Sequence, residues 1–109
     1  MEGLISGKKR TYDEFRPSIP SSIVTLFDEL RNYCFTLGKN VIEDVRMHRV
    51  VFAKSITFRS FADIEPQRDF VIIKIKRDRK EPEKEIQVKL SDNLDEIKKL
   101  LLDAYTNIH

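Results

Sequence analysis

A chain of 109 residues, 40% hydrophobic and 35% charged, has the apolar content for one cored domain and is too apolar for a disordered tail. Its single cysteine excludes an internal disulfide, and one cysteine with two histidines excludes a zinc site of the usual spacing. No apolar run approaches the ~20 residues that span a bilayer, and residues 1–17 lack a signal-peptide core, so a soluble cytoplasmic protein without membrane contact is expected.

The net charge of +2 is small, but its distribution is uneven. Residues 46–90 carry 12 Lys/Arg against 7 Asp/Glu, while residues 17–45 and 91–109 together carry 4 against 8. A basic central region between acidic flanks can orient a polyanion, and solvated surfaces also show such imbalance.

In chain order, residues 1–17 show no sustained periodicity and contain Gly3, Gly7 and the basic triplet Lys8-Lys9-Arg10. They are expected to form a flexible tail or linker, with Tyr12 and Phe15 as the side chains able to dock on a domain of residues 18–109. Ile23, Leu26, Phe27, Leu30, Cys34 and Leu37 then recur at helical spacing, predicting a helix from about Ser18–Ser22 to Leu37. Its serines and Pro20 suit the first turn, and Gly38 suits a left-handed C-terminal cap.

From Val41 the period falls to two. Strands are expected over 41–48, 49–54, 56–65, 70–76 and 85–90, with the charged stretch Arg77 to Lys84 as a solvated connection. Pro66 closes the third of these because it has no N–H for the ladder. Val71, Ile73 and Ile75 share one face, and Phe70, Ile72, Lys74 and Lys76 share the other. A second helix follows over about Asn93 to Ile108, with Leu94, Ile97, Leu101, Ala104, Tyr105 and Ile108 on its stripe. The fold class is therefore α+β, an antiparallel sheet of four to five strands with two helices packed on one face.

The turn Phe61-Ala62-Asp63-Ile64-Glu65-Pro66-Gln67 resembles a small family of uncharacterised domains with a Phe-Ala-x-Ile-Glu-Pro-Gln turn. Leu26, Leu30, Leu37-Gly38, Phe52 with Lys54, Ile72 to Ile75, and Leu94 through Tyr105 extend the likeness over roughly residues 22–107. Members of that family often lie at the C-terminal end of proteins resembling restriction endonucleases, and some are labelled predicted transport proteins. The resemblance implies an accessory domain without an established activity. The chain departs from it at Ser55 to Ser60, which is longer than the usual basic hairpin. It departs again at Arg77 to Lys84, which replaces a Gly/His/Trp-containing loop, so no role of that loop carries over.

Candidate chemistry is sparse. Cys34 lies on the apolar helix stripe, where a free cysteine is a small core residue, and His48 reads as a surface or strand-edge residue. Asp63 and Glu65, two apart on a strand, are expected to share a face with Phe61 and to stand across the ladder from Lys74 and Lys76. Two acids and a strand lysine suit a metal-dependent nuclease, but the Asp/Glu-x-Lys spacing on one strand is missing, and cross-strand ion pairs explain the same residues. A third reading takes the polar sheet face as a platform, with Phe61 and Phe70 stacking on bases and Arg59, Lys74, Lys76 and Lys89 contacting phosphates.

Accordingly the chain is expected to be a non-enzymatic binding or accessory module without cofactor or metal, associated with nucleic-acid processing. Its expected partner is a single-stranded nucleic acid or a protein. The alternatives are a protein-interaction or dimerisation domain, and a cryptic metal-dependent nuclease.

Overall fold

The computed structural model describes residues 10–55, 59–78 and 80–108. The triplet members Lys8 and Lys9, the start of the expected third strand at 56–58, Arg79 and His109 lie outside the described residues.

The first helix among the described residues is short, α1 (Tyr12–Phe15), and stands where a tail was expected. The local reason is a capping box. Thr11 Oγ1 accepts from the Glu14 N–H, and Glu14 Oε1 accepts from the Thr11 N–H, so two end donors of the turn are satisfied reciprocally. A 3₁₀ turn (Arg16–Ser18) leads on through Pro17 to α2 (Val24–Thr36). The serines do not cap α2. Ile23 occupies the cap, and Ser22 Oγ instead donates to the carbonyl of Arg68, tying the helix entry to a strand turn (2.8 Å).

Five strands follow as an antiparallel meander in sequence order: β1 (Ile42–Val45), β2 (Val50–Ala53), β3 (Ser60–Pro66), β4 (Phe70–Ile75) and β5 (Lys84–Lys89). Pro66 ends β3 as expected, and the turn closes when the Gln67 N–H donates to Phe70 C=O. The last helix, α3 (Asp95–Asn107), begins with Asp95 and Glu96 in its first turn, where carboxylates complement the helix dipole. The architecture is α+β with an open five-stranded sheet. Among the described residues it has three helices rather than two, because α1 joins the core.

That core forms between the helices and one sheet face. Ile23, Leu26, Phe27, Leu30 and Cys34 of the α2 stripe and Ile97, Leu101, Ala104 and Ile108 of the α3 stripe are all buried, as the helical periodicity predicts. They meet Val50, Phe52, Ala62, Ile64, Val71, Ile73, Ile75 and Val88. Tyr12 stacks on Phe27 with ring centroids 6.0 Å apart, and Phe15 lies 5.8 Å from the same ring. The Tyr12 hydroxyl donates to Asp28, whose carboxylate also receives Arg16. Arg31 of α2 lies 4.0 Å from the Tyr12 ring centroid and pairs through its guanidinium with Glu43 of β1. The α1 segment is thereby clamped by rings on one side and by charge on the other.

Gly38 follows α2, but not in the left-handed conformation expected of it. Its backbone stays outside the positive-φ region, and a Cβ there would sit 1.9 Å from the Tyr105 hydroxyl oxygen. Close approach of α3, rather than turn geometry, selects glycine. Gly38→Ala is therefore expected to destabilise the domain by about 1–3 kcal/mol through overpacking, measured as a denaturant midpoint shift at constant slope.

Among the described residues, no helix is long and apolar enough to cross a membrane.

Candidate functional site: the open sheet face

Among the described residues all three helices contribute to the one core, and no helix lies over the opposite sheet face. Its side chains follow from the register. One row crosses the whole sheet as Asp44, Val51, Asp63, Lys74 and Glu85. A second runs Glu65, Ile72, Gln87, and Phe70 stands opposite Lys89. Ile42 stands opposite Ala53. Val51 and Ala53 are buried yet belong to no part of the helix-side core, while Ile42, Phe70 and Ile72 are half-buried. The face thus carries an apolar element on β1, β2 and β4, divided by two acids on β3.

Asp63 is the most constrained charge on it. Burial raises its carboxyl above the ordinary carboxylate range, although Arg49 and Lys74 both act to lower it. Arg49 Nε approaches Asp63 Oδ2 at 3.2 Å without hydrogen-bond alignment, and that buried nitrogen has no hydrogen-bond partner among the described residues. Glu65 accepts from the Gln67 side-chain amide at 3.0 Å. Because the folded carboxyl is raised, protonated Asp63 favours the fold, and that contribution is lost as pH rises through the folded value. Ionised Asp63 is therefore a net cost near neutrality. Asp63→Asn is expected to keep or raise the melting temperature at about pH 7, and wild type should close the gap toward about pH 4.

The structure separates the residues expected to act together. Asp63, Glu65, Phe70, Lys74 and Lys89 do share the open face, and Lys76 follows in the same alternation just beyond β4. Phe61 does not. It is fully buried and meets Tyr105 of α3 edge-on, with centroids 5.4 Å apart. The cause is a β-bulge: Phe52 pairs with Ala62 and Ala53 with Ser60, so Phe61 is the extra residue and turns to the helix side with Ala62. Strict alternation placed it with Asp63 and Glu65, and only the pairing with β2 reveals the slip. Arg59 precedes β3, where its carbonyl accepts from the Lys54 N–H.

The basic excess of residues 46–90 is dispersed as well. Lys54 Nζ donates to the Ile108 carbonyl at the C-terminal end of α3 and lies 5.0 Å from the Tyr105 ring. Arg77 pairs with Asp103 of α3 at 3.0 Å. On the open face the signs balance. Arg46, Arg49, Lys74, Lys76 and Lys89 are matched by Asp44, Asp63, Glu65, Glu83 and Glu85, with Arg46 bound to Asp44 at 3.1 Å.

Nucleophilic chemistry finds no support here. Cys34 is fully buried, its thiol pushed up to about 12 chiefly by burial, whereas His48 is exposed between β1 and β2. Among the described residues, no three His, Cys, Asp or Glu side chains gather in a metal-holding group. A hollow of about 500 Å³ between α2 and α3 is lined by Thr25, Asp28, Glu29, Tyr33 and Lys98, with Lys98 tied to Glu29 at 3.1 Å.

Comparison of the chain with family models, curated proteins and solved structures finds no match. The likeness of the Phe61–Gln67 turn to an uncharacterised domain family accordingly adds no residue role to this geometry.

Proposed function

We propose that this chain is a non-enzymatic binding module whose open sheet face docks a protein partner. The observation that carries the reading is the apolar element Ile42, Val51, Ala53, Phe70 and Ile72, set outside the core cluster within a charge-balanced frame. Protein interfaces mix apolar and polar area in this way, and a sheet face with no helix over it among the described residues offers such a surface. A nucleic-acid platform needs a net positive field and stacking rings. Here the formal charges of the described open-face residues balance, and one of the two expected rings, Phe61, is inside the core.

The test places a photo-crosslinking residue at position 72, or at the exposed helix position 106 as control, in cells that make the protein. The expected result is a discrete adduct from position 72 alone. Excess wild-type domain should compete it away, and Ile72→Glu domain should not. Absence of such an adduct overturns the reading. So does low-salt binding of a single-stranded oligonucleotide whose log-log salt slope falls by about 0.7 in Lys74→Ala, since that is the signature of a phosphate contact.

A further inference from the structure

The two edges of the sheet differ. Beyond β1, Arg10 forms an antiparallel bridge with Val45, whereas among the described residues nothing pairs with the outer edge of β5. The backbone groups that edge presents follow from the ladder. Phe70 C=O accepts from Gln67, and the Lys76 N–H donates to Phe61 C=O, so the even-numbered residues of β4 face β3. The odd-numbered ones face β5 and bond Lys84, Ile86 and Val88. Glu85 and Gln87 are left with N–H and C=O directed outward. Lys89 also faces outward, but its N–H donates to the Asp92 carboxylate at 2.8 Å, and its carbonyl accepts from the Asp92 N–H.

We propose that the β5 edge pairs antiparallel with β5 of a second copy of this chain, about a two-fold axis through Ile86, continuing the sheet across both copies. This register sets Glu85 against Gln87 of the second copy, twice, and so uses all four free groups of each edge. A two-fold through Gln87 would instead need the Lys89 N–H that Asp92 already holds. Charges usually blunt an edge against pairing. On β5 both signs occur, and in this register Glu85 meets a neutral amide that can donate to it, the pairing stopping short of Lys89, where Asp92 already stands on the outer edge.

A separate feature agrees. Leu90, 57% exposed at the end of β5, is one of the few large apolar side chains left in water. At the other end of β5, Pro82 with Ile75, Lys84 and Leu100 lines a groove of about 380 Å³ on the helix side, and a two-fold across this edge brings the leucine end of one copy toward the groove end of the other. Each copy offers both the leucine and the groove, as a two-fold interface requires.

Sedimentation velocity on the full chain, from about 5 to about 200 µM, decides the matter. A concentration-dependent monomer–dimer equilibrium is expected. Gln87→Pro removes an outward N–H that β4 does not use, so it should weaken dimerisation at least tenfold while leaving the circular dichroism unchanged. Gln87→Glu, which sets a carboxylate against Glu85 in each of the two pairs, should also weaken it, and Gln87→Glu with Glu85→Lys should restore it. That charge exchange decides the question even if the proline variant does not fold. A chain monomeric throughout, or a dimer indifferent to the charge exchange, overturns the proposal. Ile72→Glu on the open face should leave dimerisation intact; its loss there would place self-association on the partner-docking face and likewise overturn edge pairing.

Discussion

Phe61→Ala is expected to lower the unfolding free energy by about 3–5 kcal/mol, the range for truncating a buried phenylalanine. The ring is fully enclosed and meets Tyr105 edge-on, so the variant loses burial and an aromatic pair and leaves a cavity beneath α3. Urea unfolding at constant slope measures it. An exposed stacking ring would behave otherwise: its removal would cost ligand affinity and leave stability within about 0.5 kcal/mol. A near-neutral Phe61→Ala would mean that the bulge does not turn this ring inward, and the nucleic-acid platform would regain its aromatic.

Deleting residues 1–16 is expected to destabilise the domain by about 5 kcal/mol or more, enough to unfold a chain of ordinary stability at room temperature. The deletion removes Tyr12 and Phe15, 7% and 4% exposed, which cover Phe27 and complete the cluster at one end of α2. It also frees Asp28 from the Tyr12 hydroxyl and Arg16, and uncovers Arg31 where it lies on the Tyr12 ring. Deleting only residues 1–9 is the control, and the larger loss should appear only when 10–16 go too. The two rings are neighbours, so Tyr12→Ala and Phe15→Ala should not sum to the deletion. A melting temperature unchanged by the 1–16 deletion would return this segment to the status of a tail.

Elements with strong, unbroken periodicity were legible in the residues alone. The two long helices lie where the stripes through Leu30 and Leu101 place them, because a repeat near 3.6 leaves one face apolar whatever it packs against. The turn at Pro66 and the inward set Val71, Ile73, Ile75 were equally legible, since a missing N–H and a period of two are local properties. The α1 turn was hidden by its brevity: four residues show no periodicity, although the Thr11–Glu14 spacing of its capping box was there to be read.

Other features came from contacts between distant parts of the chain. Phe61 changed face because a bulge is a relation between two strands and leaves no mark on one of them. The basic excess of residues 46–90 did not become a basic surface, because Lys54 and Arg77 were drawn to the carbonyl end and the acids of α3. Gly38 proved to be a contact glycine because the ring that requires it stands 67 residues away in the chain. Which edge of the sheet stayed open among the described residues was likewise settled by pairing, with Arg10 bridging Val45 on one side and nothing pairing with β5 on the other.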